Sequence, residues 1–153
     1  MNIQIGIQKQ RGFSLIEMLM VIAIVMIMSA IALPFFGGFL DNRNLKNAAR
    51  DIAGDIFELK ERAISEDSQY QIQFNQGANN YALTGGASAM NVTKSSSAFG
   101  SGIFISALSQ PTFILQARGI VSNGSITLQN NRGSTATINI SLSGRTSVTW
   151  ILQ

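Results

Sequence analysis

Residues 13–40 read FSLIEMLMVIAIVMIMSAIALPFFGGFL and contain one charged side chain, Glu17. A helix of this length can cross the hydrocarbon core of a bilayer, which is about 30 Å thick, at a rise of about 1.5 Å per residue. Lys9 and Arg11 precede the segment, and basic residues on that side favour a cytoplasmic amino terminus. The sequence therefore predicts a single membrane-spanning helix within residues 13–40.

Glu17 is out of place in this apolar segment. An acidic side chain near the centre of a membrane helix costs about 2.5–3.5 kcal/mol, and less near its edge. A nearby cation would neutralise the carboxylate, so Glu17 is expected to have a partner or a function.

The string RGFSLIE, residues 11–17, followed by the apolar run resembles the signal of type IV prepilins and type II secretion pseudopilins. The resemblance implies that a prepilin peptidase/methyltransferase cuts between Gly12 and Phe13 and methylates the new amine. Residues 1–12 are then the leader peptide. Glu17 becomes mature position five, where the family's glutamate pairs with the Phe13 amine, that of an adjacent subunit in the filament.

An ordinary secretory signal peptide is the alternative. Lys9 and Arg11, the apolar run and Ala30-Ile31-Ala32 imitate its three regions. Cleavage there would leave an amino terminus at Leu33, which mass spectrometry distinguishes from one at Phe13. The glutamate within the apolar run, and the helical pattern that continues past the second site, argue against this alternative.

Residues 41–67 form the predicted amphipathic stem helix. Pro34 removes one helical hydrogen bond and predicts a kink, or else a helix end, before this stem. Apolar residues then recur at intervals of three and four, and this stripe is expected to pack on the head. They are Leu45, Ala48, Ala49, Ile52, Ala53, Ile56, Phe57, Leu59, Ala63 and Ile64. The charged residues between them, including Asp55, are interpreted as a solvated face.

Residues 68–153 form the predicted β-rich head. Tyr70, Ile72 and Phe74 alternate with polar residues, and the pattern resumes at Tyr81 after turn residues, which predicts a hairpin. Further strands are predicted at 103–107, 112–117, 125–129, 136–142 and 146–152. The Gly-, Ser- and Ala-rich segment 84–102 is interpreted as a mobile loop.

The fold class is therefore α+β, with a long N-terminal helix packed on a small antiparallel β head. This order of elements is similar to the GspH/FimT subfamily of minor pilins and pseudopilins. The resemblance implies a structural subunit that assembles through its N-terminal helix into a type IV pilus or type II secretion pseudopilus. Its partners would be other pilin or pseudopilin subunits and the bacterial inner membrane, with the head in the periplasm or at the cell exterior.

Catalysis by the protein is not expected. The chain contains no histidine and no cysteine, which removes the commonest general base and the usual nucleophile pairs. No metal-ligand or phosphate-loop spacing is present, so no cofactor and no metal are predicted.

Binding of DNA for uptake is the alternative function. All acidic residues precede position 68, and the later charged residues are Lys94, Arg118, Arg132 and Arg145. These four side chains are the candidate DNA or anion contacts. Some FimT-like proteins carry a Gly-Arg-x-Arg motif near the C-terminus, whereas residues 144–147 here read GRTS and lack the second arginine.

Overall fold

The computed structural model describes residues 12–95, 98 and 102–153, apart from the side chains of residues 32–36. The predicted leader therefore lies outside the described residues, except for Gly12. The chain divides into two compact units, residues 1–37 and 38–153.

One helix, α1 (Leu15–Ser65), contributes to both units. It passes through Pro34 without ending, so the alternative of a helix end there is wrong, while the kink stays a prediction. The helix ends where Asp67 takes a positive φ of 45° and the Ser68 amide donates to the Ala63 carbonyl. This is a Schellman cap, which satisfies a terminal carbonyl and releases the chain toward the first strand.

In the first unit, the large apolar side chains from Met18 to Ile31 are between 50% and 66% exposed. They lie on all sides of the helix, so this part has no buried face among the described residues. No helical segment in the described part of the chain is both long enough and apolar enough to span a membrane.

The second unit contains eight described strands in two antiparallel sheets. One sheet has the order β3-β2-β1-β5, formed by β1 (Tyr70–Asn75), β2 (Asn80–Gly85), β3 (Met90–Ser95) and β5 (Thr112–Leu115). The other has the order β4-β6-β7-β8, formed by β4 (Ile103–Leu108), β6 (Gly124–Asn130), β7 (Thr135–Ile140) and β8 (Thr146–Ile151).

A single buried cluster joins α1 to both sheets. The helix supplies Leu45, Ile52, Ile56 and Leu59, and the alternating inward residues of the strands complete the core. This pattern follows the two periods read from the sequence, 3.6 for the helix and 2 for the strands. The predicted α+β fold is confirmed, with the hairpin and the five later strands in place.

Two expectations about the strands and the apolar stripe of this unit are wrong. The segment 84–102 is not wholly a loop, because Met90–Ser95 forms β3 and pairs with all of β2. Phe99 lies outside the described residues. Phe57 and Ile64 are not buried against the head, since they are 58% and 46% exposed. They lie at the margin of the apolar stripe, where they border the turns at Gly119 and Gly144.

Candidate functional site

The predicted processing site lies directly before the first turn of α1. Gly12 and Phe13 precede the helix, and Phe13 is 79% exposed. Ser14 is the N-cap residue, because its Oγ accepts a hydrogen bond of 3.2 Å from the Glu17 amide. The Glu17 amide also lies 3.1 Å from the Ser14 carbonyl. The helix therefore starts two residues after the predicted scissile bond.

The capping role of Ser14 was missed by the sequence reasoning. Ser14 and Glu17 have the S-x-x-E spacing of a capping box, which is a recognised start signal for a helix. Glu17 lies at the third helical position, where the helix dipole favours an anion. No ion pair involves Glu17 among the residues that the structure describes. Its predicted pairing with the Phe13 amine therefore stays a prediction.

Asp55 is a charged group buried between α1 and the head. It is 7% exposed, and its Oδ2 accepts a 2.7 Å hydrogen bond from the Tyr81 hydroxyl. Its Oδ1 lies 2.6 Å from Lys94 Nζ in β3. Burial, and then the bond to Asp55, raises the pKa of Tyr81. The interpretation of Asp55 as a solvated charge is wrong, because this carboxylate connects the helix to two strands.

Arg132 makes a second ion pair between the head and α1. Its Nε lies 2.8 Å from Asp41 Oδ2, and both side chains are partly exposed. Nearby, the Asn130 side-chain amide donates to Asn42 Oδ1 over 3.1 Å. Two of the four candidate DNA contacts, Lys94 and Arg132, are therefore already paired with carboxylates of the same chain.

The other two candidates have no such partner. Arg118 and Arg145 are exposed and form no ion pair within the described residues. Arg118 borders a depression that includes Ile120, and Arg145 borders another that includes Phe57 and Lys60. The structure thus does not present Lys94, Arg118, Arg132 and Arg145 as one set of free cations.

The N-terminal segment and the fold can each be compared with those of known proteins. Residues 7–33 match the family described as the prokaryotic N-terminal methylation motif. This match covers the predicted processing site, the N-cap residue and Glu17. No match to a curated protein was found by sequence.

Two solved structures share this fold. One is the minor pseudopilin EpsH from the type 2 secretion system of Vibrio cholerae, with a TM-score of 0.58 and 10% identity, covering 70% of this chain and 97% of that one. The other is the type IV minor pilin FimU of Pseudomonas aeruginosa PAO1, with a TM-score of 0.57 and 15% identity, covering 72% and 92%. The chain is therefore similar to type IV pilin-like proteins in its N-terminal motif and in its fold.

Proposed function

We propose that this chain is a minor pilin or pseudopilin, a structural subunit of a type IV pilus or a type II secretion pseudopilus. A prepilin peptidase would cut between Gly12 and Phe13, and the mature subunit would assemble through α1. The observation that carries the proposal is the first unit of the structure. It is a helix whose large apolar side chains are half or more exposed from Met18 to Ile31.

Such a helix has to be covered by another molecule. Water is a poor solvent for a helix that is apolar on all sides, so lipid or the helices of other subunits are the environments that suit it. We propose both in succession: the bacterial inner membrane before assembly, with the head in the periplasm, and a bundle of pilin helices afterwards. The membrane step rests on the sequence of residues 13–40.

Glu17 would set the axial position of each subunit relative to its neighbour. Cleavage before Phe13 would create a cationic amine one helical turn from the carboxylate, in an apolar layer where an unpaired charge is costly. Pairing between the amine of one subunit and Glu17 of the next would compensate for that cost. It would do so at only one axial position of the two helices relative to each other. The carboxylate would then select the correct position of a subunit in the filament.

The test compares Glu17→Gln with Glu61→Gln in cells that make the filament. Both variants exchange a carboxylate for an amide on α1, but Glu61 lies on the exposed helix face of the second unit. We expect both proteins to be cleaved to an N-methylated Phe13, as read by mass spectrometry. We expect only Glu61→Gln to reach the sheared filament fraction at the level of the unmodified chain.

Each measurement can contradict one part of the proposal. An amino terminus at Leu33 would identify secretory signal cleavage and remove the pilin function altogether. Normal recovery of Glu17→Gln in filaments would leave the function standing but remove the charge pairing.

A further inference from the structure

One surface of the second unit combines exposed apolar side chains with cations that pair with no carboxylate among the described residues. We call it the basic-apolar surface, and it consists of Phe57, Lys60, Ile64, Arg118, Ile120 and Arg145. The first three lie on one face of α1, at spacings of three and four residues. The others come from the segment between β5 and β6 and from the turn between β7 and β8.

Close packing holds these elements side by side. A Cβ atom placed on Gly144, which has a φ of 71°, would lie 2.6 Å from Lys60 Cδ. A Cβ on Gly119 would lie 3.2 Å from Ile64 Cδ1 and 3.6 Å from Lys60 Cε. The Lys60 stem therefore runs between the two turns, and glycine at position 144 is what allows this approach. The Val121 amide donates to the Leu142 carbonyl and joins the two turns directly.

The surface includes several exposed apolar side chains. Phe57 is 58% exposed, Ile64 46% and Ile120 47%, and Leu142 beside them is 62% exposed. A depression of about 440 Å³ lies between Phe57, Lys60 and Arg145. Exposed apolar side chains grouped with polar and charged ones are typical of protein interaction sites.

The charge of the surface is positive and unmatched. Lys60, Arg118 and Arg145 form no ion pair with any carboxylate that the structure describes. The other cations of the head differ, because Lys94 and Arg132 are both paired with carboxylates of α1. Complementarity of charge therefore favours an occupant that is acidic.

We infer that this surface binds an acidic segment of another protein subunit, one that inserts apolar side chains between Phe57, Ile64 and Ile120. The apolar groups argue for protein rather than nucleic acid, because contacts to a phosphate backbone require cations but not exposed Phe and Ile side chains. Arginine and aromatic residues are enriched at protein interfaces. This inference rests on the proposed function and names a surface through which the head would contact its neighbour.

The test places the photo-crosslinking residue p-benzoyl-phenylalanine at position 57 of the full chain in cells. Crosslinked products are digested and the partner segment is mapped by mass spectrometry. Arg145→Gln is then compared with Gln73→Glu, which changes the net charge by the same amount on an exposed position of β1. The Arg145 side chain makes no hydrogen bond in the described structure, so its replacement spares the fold.

We expect the crosslink to map to a segment of another subunit that contains Asp or Glu beside apolar residues. Arg145→Gln should reduce the yield about fivefold, the change that about 1 kcal/mol produces, while Gln73→Glu leaves it unchanged. Arg145→Glu should abolish the product, and reversal of the mapped acidic residue to Arg should restore it.

Several outcomes would overturn the inference. They are a crosslink only to lipid or DNA, a crosslink to a basic segment, the absence of any crosslink, and a yield that Arg145→Gln does not change. Recovery of the chain in the sheared filament fraction is measured in parallel. A chain that enters filaments without the expected crosslink contradicts this inference and leaves the proposed function intact.

Discussion

Replacement of Asp55 by alanine should lower the free energy of unfolding by about 2 kcal/mol. The buried Tyr81 hydroxyl would lose its acceptor, which costs about 1–3 kcal/mol for an unsatisfied buried group. Lys94 is 40% exposed and can be rehydrated, so the lost ion pair adds at most about 1 kcal/mol. The better helix propensity of alanine offsets about 0.5 kcal/mol of the sum.

Glu58→Ala is the matched control for this prediction. Glu58 is another carboxylate of α1, and it forms an exposed i,i+4 pair with Arg62 at 2.9 Å. Exposed pairs of this kind contribute about 0.3–0.5 kcal/mol, so the control should stay within about 0.5 kcal/mol of the unmodified chain. Asp55→Asn keeps an acceptor for Tyr81 and should cost about half as much as Asp55→Ala.

The assay is urea unfolding of the full chain in detergent micelles, followed by the fluorescence of Trp150. This is the only tryptophan, and it lies in β8, packed against the core. Because the helix and both sheets share that core, loss of the Asp55 contacts should shift the whole transition. Equal midpoints for Asp55→Ala and Glu58→Ala would refute the reasoning.

Three further substitutions test the stability of the second unit: one changes its dependence on pH, one should raise it and one should lower it. The pKa of Tyr81 is raised in the folded protein, so above about pH 10 the unfolded chain loses this proton while the folded chain keeps it. The free energy of unfolding should therefore fall above about pH 10, by up to about 1.4 kcal/mol per pH unit. Tyr81→Phe should remove this dependence on pH, which urea unfolding at pH 8 and pH 10.5 would measure. The same loss of unfolding free energy between the two pH values in the variant and in the unmodified chain would contradict the prediction. Gly54→Ala, exposed in α1 with nothing within 4 Å of the new Cβ, should raise stability by about 0.5–1 kcal/mol. Gly86→Ala should lower it by about 1–3 kcal/mol, because φ is 76° and the Cβ would collide with the Tyr70 hydroxyl; thermal unfolding that ranks these two variants in the reverse order would refute both.

The elements that the sequence predicts correctly are those with local signals. The helix follows from the apolar run and the 3.6-residue period, and most strands follow from alternation between turn residues. β3 has no such signal, because Met90 is only partly buried and Val92 is 40% exposed. This strand is defined by its backbone pairing with β2. The pairing begins with Asn80 opposite Ser95 and ends with Gly85 opposite Met90. Such pairing at a sheet edge leaves little trace in the side chains.

The site around Asp55 was partly visible in the sequence. Asp55 is three residues after Ile52 and four before Leu59, so it lies on the apolar face of α1 rather than on the solvated one. Its partners could not be read in the same way, because Tyr81 and Lys94 are 26 and 39 residues further along the chain. Contacts at that separation depend on how the sheet folds over the helix.

The separation of charge along the sequence has a structural cause. Lys94 and Arg132 of the head form ion pairs with Asp55 and Asp41 of α1. Acidic residues before position 68 and cations after it therefore connect the helix to the head. The arrangement also marks the cations that this docking does not use. Arg118 and Arg145 contribute to no described ion pair, and the turns that carry them are held against Lys60. Their charge therefore remains available to a second molecule, and a crosslink from position 57 would report that contact.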